Sequence, residues 1–293
     1  MSRLCTYRDD TAVHVGLIDA DMTHVQALDH LVPPEVAATS GVAATIGLDL
    51  STTAHRAASH GTALTHVTLL APIPYPHRNV FCVGKNYLEH VAEFGQSGYD
   101  ATLSRAAPEH PIVFTKPASS VIGPGADVES HAEVTAELDY EAELAVIIGS
   151  AGRGIAAERA LEHVWGYTLV NDVTARDLQR RHKQWFLGKS LDTFCPMGPW
   201  VTTADELDAQ NLRIECRVNG ELRQSASTAD LIFDVPALIE TISAGITLEP
   251  GDIISTGTPA GVGIGFKPPR FLVSGDVVEV SAVGLGTLTN RIA

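Results

Sequence analysis

Leu138-Asp139-Tyr140-Glu141-Ala142-Glu143-Leu144-Ala145-Val146-Ile147-Ile148 is the stretch whose reading decides the fold, and it reads as one strand. Successive strand side chains point to opposite faces. Asp139, Glu141 and Glu143 therefore share one face, and Leu138, Tyr140, Ala142, Leu144 and Val146 share the other. Carboxylates two positions apart stand about 6–7 Å from one another at the rise of a strand, and they repel unless a cation lies between them. A divalent metal ion is the expectation. A solvent-facing strand edge that carries charges is the alternative.

The next strand-like run, residues 167–173, delivers Asp172 at its end, 29 positions past Glu143. Three carboxylates without His or Cys form a hard oxygen site, suited to Mg²⁺, Mn²⁺ or Ca²⁺ rather than Zn²⁺. Such a set leaves about three of the six Mg²⁺ positions for water or a chelating substrate. No local motif ties Asp172 to the glutamate pair, so spacing alone leaves both readings standing.

Upstream, residues 79–84 read as a short buried strand that ends in Gly84-Lys85-Asn86-Tyr87 and opens a helix. His90 and Glu93 are three apart and share a helical face. A carboxylate beside an imidazole fixes its tautomer and raises its basicity, as a general base near neutral pH requires. An exposed surface pair is the alternative. Residues 94–111 are polar and aperiodic, the signature of a lid or a disordered segment. Residues 112–117 form another strand, with Lys116 extended before Pro117. Residues 156–164 and 174–181 read as helices, and Arg176 and Gln179 share a face of the second. Residues 185–192 read as a loop or short extended piece, with Lys189 in an apolar, glycine-flanked setting.

Asn219-Gly220 between two alternating runs signals a hairpin. Residues 231–243 read as an amphipathic helix, residues 253–263 as a strand feeding a glycine-rich loop, and residues 276–290 as a second hairpin. That loop lacks the GK[ST] ending of a P-loop, and its glycines instead allow close backbone approach to a ligand.

Residues 1–75 read as a small leading α/β unit: strand-like 13–18, a turn at 19–22, a returning strand at 23–28, and partial helix within 34–58. Its histidines (His14, His24, His30, His55, His60, His66) show no ligand spacing. Pro72, Pro74 and Pro76 mark an extended boundary. The division expected is 1–75 and 76–293.

The chain has 293 residues, is 45% apolar and 19% charged, and carries a net charge of -15. That is an ordinary globular composition. The acidic surface argues against nucleic acid and anionic membranes as partners. Cys5, Cys82, Cys195 and Cys216 show no CxxC spacing, which argues against a disulfide framework or a thiolate metal site. With no signal-peptide pattern and no apolar run of about 20 residues, a cytoplasmic protein is expected.

Taken in order, Val83-Gly84-Lys85-Asn86-Tyr87, Glu141-Ala142-Glu143, residues 172–179, Gly188-Lys189-Ser190 and residues 256–263 resemble the fumarylacetoacetate hydrolase family. The resemblance runs from about residue 79 to 292 and only loosely covers the leading unit. It implies an α+β, β-rich fold with a mixed sheet, few helices and a homodimeric assembly. It implies Glu141, Glu143 and Asp172 as ligands of Mg²⁺, with Mn²⁺ or Ca²⁺ as substitutes. His90 matches the family's general base and Glu93 its orienting carboxylate. Lys189, Arg176 and Gln179 match groups that bind substrate oxygens, Thr258 one that meets the substrate's carboxylate end, and Tyr87, in a matching stretch, is expected among the substrate-binding residues. Residues 94–111 fall where members carry a lid.

The activity expected is Mg²⁺-dependent hydrolysis of a C–C bond in an acylpyruvate or related β-diketo acid, a small anionic keto acid from aromatic or sugar-acid catabolism. Isomerisation or decarboxylation of hydroxymuconate-type diacids or oxaloacetate is the alternative. A non-catalytic metal-binding protein stands behind both.

Overall fold

The computed structural model describes residues 3–50, 61–97 and 107–293. Strands β1 (Arg3–Arg8), β2 (Val13–Ile18) and β3 (His24–Ala27) form an antiparallel meander, with the expected turn between β2 and β3. Helix α1 (Pro34–Ser40) starts on a proline, whose missing N–H costs nothing in the first turn, and a 3₁₀ turn at Gly41–Thr45 follows. The helical expectation for 34–58 holds to residue 45, and residues 51–60, with His55 and His60, lie outside the described residues. Strands β4 (Thr62–Ala63) and β5 (Thr68–Leu69) add to β3 and β1.

Next come β6 (Val80–Gly84), α2 (Leu88–Ser97), β7 (Ile112–Lys116), β8 (Val121–Ile122), β9 (Leu138–Asp139) and β10 (Ala142–Ile148). After them run β11 (Val164–Asn171), β12 (Thr174–Ala175), α3 (Arg176–His182), α4 (Phe186–Lys189) and β13 (Cys195–Thr203). The chain ends with β14 (Arg213–Val218), β15 (Glu221–Ser227), α5 (Val235–Ser243), β16 (Ile253–Ser255), β17 (Val277–Ala282) and β18 (Gly286–Arg291).

One large sheet runs β4-β3-β2-β1-β13-β11-β10-β16-β6-β7. It is mixed, because β16 pairs parallel to β6 while its other neighbour, β10, is antiparallel. The first strand of the chain joins it through β13, with Arg3 opposite Thr202 and Leu4 opposite Val201. A second, antiparallel sheet runs β15-β14-β17-β18. Asn219 and Gly220 join β14 to β15 with φ of 52° and 79°, the left-handed pair that a tight hairpin turn demands.

Every residue of β10 is buried, and its alternation feeds two cores. Leu144, Val146 and Ile148 pack with Ile214, Val280 and Leu288 of the second sheet and Ile239 of α5. Ala145 and Ile147 pack with Val15, Leu17, Leu28 and Ile73 from the leading segment. Each such aliphatic side chain stabilises the fold by about 1.5–3 kcal/mol. The charges are thus set into a strand enclosed on both faces, so the alternative of a solvent-facing edge falls away.

Several local expectations need correction. The run 138–148 is two strands: β9 pairs with β12, β10 pairs with β11 and β16, and the chain breaks step at Tyr140 and Glu141. Residues 174 and 175 are β12 before α3 begins. The loop expected at 185–192 contains the single turn α4, and the helix expected at 156–164 is 3₁₀, Ala157–His163. Helix α5 starts at Val235, because Asp234 Oδ1 accepts the Ala237 N–H as a cap. Helix α2 continues to Ser97, so Phe94 is a buried helical residue and not the start of a loop, while 98–106 lie outside the described residues. The four cysteines are free and buried. Among the described residues no helix is long and apolar enough to cross a membrane.

Candidate active site

The break between β9 and β10 assembles the site. Ala142 stands opposite Asn171, so Glu141 and Asp172 extend the β10–β11 ladder by one step, and the Asp172 N–H donates to Glu141 O at 2.8 Å. The Asn171 side chain accepts the Glu141 N–H at 3.0 Å. Glu143 lies two residues on in the same ladder, opposite Val170. Glu141, Glu143 and Asp172 are buried, and one carboxylate oxygen from each lies within 4.8 Å of the others.

Three cations and a fourth carboxylate surround this trio. Lys189 Nζ is 2.7 Å from both Glu141 Oε2 and Asp172 Oδ2. Lys116 Nζ is 2.5 Å from Asp172 Oδ1 and donates to Val173 O at 3.0 Å. Arg176 Nη1 is 2.6 Å from Glu141 Oε1, and its Nε donates to Asp139 Oδ2 at 2.9 Å. Glu143 Oε2 accepts from Ser255 Oγ at 2.5 Å and from the Gly257 N–H at 3.0 Å.

The pKa directions follow. Burial opposes ionisation of Glu141, but Lys189 and Arg176 outweigh it and hold the carboxyl at about 2. Burial, then Asp172 and Glu141, push Glu143 up to about 8. Burial opposes the Lys189 ammonium, but Asp172 and Glu141 outweigh it and raise its pKa, so Lys189 stays a cation. Four carboxylates (Asp139, Glu141, Glu143, Asp172) thus face three cations (Lys116, Arg176, Lys189). The all-oxygen donor set, with Glu143 as a carboxyl that can give up its proton to a bound cation, fits a divalent ion.

A narrow cleft of about 20 Å³ opens beside Glu141. Arg176, Gln179, Lys189, Lys85 and Thr258 line its polar side, and Val83, Phe94, Phe114 and Trp185 its apolar side. His90, 5% exposed, also lines it, with Nδ1 3.3 Å from Glu93 Oε2. The Gly261 N–H donates to both Glu93 oxygens, at 3.0 and 3.2 Å. Gln179 Oε1 accepts from Arg176 Nη1 at 3.2 Å, and Thr258 Oγ1 donates to Ala142 O at 3.0 Å.

Nine of the ten residues singled out in the sequence therefore lie at the cleft or in the trio and its supports. Tyr87 does not: it is buried outside the cleft, and its backbone bridges to Leu231. Sequence reasoning missed Lys116 and the role of Asp139. A lysine ending an apolar strand was the available signal for the first, and a carboxylate on the metal-bearing face for the second.

Residues 79–293 match the model of the fumarylacetoacetate (FAA) hydrolase C-terminal domain. The chain belongs to the fumarylacetoacetate hydrolase family. It is 56% identical over 231 residues to oxaloacetate tautomerase YisK of Bacillus subtilis, a match covering 78% of this chain and 74% of that protein. Among solved structures it resembles a fumarylacetoacetate hydrolase from psychrophilic Exiguobacterium antarcticum, with 43% identity and a TM-score of 0.84 over 100% of this chain and 99% of the other. It also resembles a 2-hydroxyhepta-2,4-diene-1,7-dioate isomerase from Mycobacterium marinum, with 32% identity and a TM-score of 0.74 over 100% and 98%.

Proposed function

We propose that the chain is a divalent-metal-dependent isomerase of small 2-oxo diacids, with keto–enol interconversion of oxaloacetate as its representative reaction. The observation that carries this reading is His90, held by Glu93 on the wall of a cleft whose other charged groups are committed elsewhere. Lys189 and Arg176 are fixed as cations by their carboxylate partners. His90 is the imidazole on the cleft wall, the kind of side chain that both takes and returns a proton in general acid–base chemistry.

Tautomerisation asks for little more. A base takes the proton from C3, the electron pair moves into the C2 carbonyl, and the oxygen takes up a proton. Hydrolysis needs in addition a water set against the distal carbonyl. The tautomerase and isomerase names of relatives support the same choice. C–C hydrolysis, the first expectation from sequence, thereby yields to its isomerase alternative.

Glu141, Glu143 and Asp172 would hold Mg²⁺, or Mn²⁺ in its place. Bound there, the ion supplies Lewis acidity that polarises the 2-oxo carbonyl and acidifies the adjacent C–H. Among the described residues Arg176 Nη2 is buried without a hydrogen-bond partner, and it is the donor we assign to a substrate carboxylate. Lys189 and Gln179 stabilise the enolate oxygen, and Thr258 contacts the substrate's far end. Tyr87 takes no part in this proposal. A homodimer completes it.

The deciding test follows ultraviolet absorbance, CO₂ and acid release with enol-oxaloacetate, an acylpyruvate and a hydroxymuconate-type diacid, with and without EDTA. Rapid loss of enol absorbance without fragments, abolished by EDTA and restored by Mg²⁺, is expected. CO₂ and pyruvate at the same rate would assign decarboxylation. Acid release from the acylpyruvate would restore hydrolysis. No turnover of any substrate would favour a metal-stabilised binding protein.

A further inference from the structure

Asp139 is the carboxylate of the buried cluster that the proposed metal set leaves out. Its side chain is fully buried and committed to partners from distant parts of the chain. Oδ2 accepts from Arg176 Nε at 2.9 Å and from the Ile264 N–H at 3.1 Å. Oδ1 accepts from the Gly263 N–H at 2.6 Å and from the Tyr140 N–H at 2.9 Å. The neighbouring Tyr140 Oη donates to Gly261 O at 2.8 Å. Residues 139 and 140 thus pin the loop 261–265 at three points.

The same loop seats the acid–base pair. Gly261 donates its N–H to Glu93, and a Cβ on Gly265 would lie 1.8 Å from Glu93 Oε1. The Glu93 carboxylate therefore rests against the bare Cα of Gly265, and its other oxygen faces His90 Nδ1. One carboxylate stands behind both halves of the cleft.

We propose that Asp139 is a positioning residue that sets Arg176 directly and the Glu93–His90 pair through loop 261–265. The blander role, neutralising Arg176 alone, leaves the loop contacts idle and makes a different prediction. The kinetic part of the test rests on the tautomerase reading, and the spectroscopic part does not.

Asp139→Asn keeps the shape and one acceptor oxygen but loses the charge. Gly265→Ala displaces Glu93 without touching Arg176. In the Mg²⁺-loaded full chain, the NMR resonances of the His90 imidazole and the kcat and KM for oxaloacetate are measured for both variants and their combination. Each single variant is expected to move the His90 resonance and to lower kcat at least about tenfold, the scale of a small misplacement at a reacting group. KM rises in Asp139→Asn, where Arg176 is also released, and stays in Gly265→Ala. The double variant moves the His90 resonance no further than either single one. A wild-type His90 resonance in Asp139→Asn, or shifts that add in the double variant, would overturn the proposal. If Asp139→Asn does not fold, Asp139→Glu, which keeps the charge but displaces the carboxylate from the Gly263 and Ile264 N–H groups, carries the same test with the same two outcomes. If the wild type does not turn over oxaloacetate, the functional reading fails while the resonance comparison still decides the role of Asp139.

Discussion

Lys116 Nζ stands 2.5 Å from Asp172 Oδ1 with both side chains at 0% exposure. Lys189 takes the other Asp172 oxygen, so two ammonium groups divide one carboxylate between them. Only Lys189 reaches the cleft. Lys116 compensates the charge from behind, and Lys116→Met, which keeps the stem, leaves Asp172 partly uncompensated. Removing one partner of a buried pair costs about 3–5 kcal/mol. We expect urea unfolding of the metal-free variant to show a loss of that size. Mg²⁺ should recover a larger share of stability than in the wild type, because one competing cation is gone. A loss below about 1 kcal/mol, the scale of an exposed pair, would show that Asp172 draws its counter-charge elsewhere.

Glu143 makes the metal-free protein sensitive to pH. Its folded pKa of about 8 exceeds the 4.5 of an unperturbed carboxyl, so the folded state holds a proton that the unfolded state releases. A raised pKa contributes stability that is full below the unfolded value and is lost as pH climbs through the folded one. Thermal melts in EDTA should therefore fall from pH 5 to pH 8, and Glu143→Gln should flatten the slope. Metal binding needs the carboxylate and releases this proton, so Mg²⁺ affinity should rise over the same window. An unchanged slope in Glu143→Gln would assign the dependence to another group.

Local pattern carried the reading where neighbours in sequence are neighbours in space. Asn219-Gly220 has a single good use, and the alternation of β10 appears directly as two cores. The carboxylate pair Glu141 and Glu143 was legible in the same way, and Asp172 became legible through the family resemblance. Pattern failed where long-range contacts decide. Nothing local breaks the run 138–148; its step comes from β12 pairing with β9 and from loop 261–265 binding Asp139. Lys116 meets Asp172 across 56 positions, and α4 is one turn long, too short for periodicity to mark. The edge-on pairing of β1 with β13 spans almost 200 residues and leaves no trace in either strand.

The leading segment carries its own titrating group. His14, 7% exposed, lies with Nε2 3.3 Å from Asp9 and Nδ1 2.8 Å from Asp29, its ring stacked on Tyr7. Burial opposes its charge, but the two carboxylates outweigh it and raise its pKa. A raised histidine contributes stability that is full below its unfolded pKa of about 6.5 and is lost as pH rises through the folded value. His14→Gln should lower Tm at pH 6 by about 2–4 °C, the scale of 1 kcal/mol in a chain of this size, and by less at pH 8.5. An equal deficit at both pH values would mean that packing against Tyr7, not charge, is what the ring contributes.

His90 and Glu93 give the sharpest division between chemistry and scaffold. Their contacts run to each other, to Phe94 and to loop 261–265, and His90 bears on the trio only as a neighbouring charge beside Glu141, a smaller effect than Lys189 and Arg176 have there. His90→Ala should therefore keep the wild-type Mg²⁺ titration by calorimetry while losing at least about 100-fold in oxaloacetate ketonisation, the usual contribution of a positioned base. Glu93→Gln keeps the imidazole and loses only the charge that orients it, so its loss should be smaller, about tenfold, and should fall on kcat. Full activity in His90→Ala would remove the base assignment. A parallel loss of metal affinity would move His90 from proton transfer to the support of the carboxylate trio.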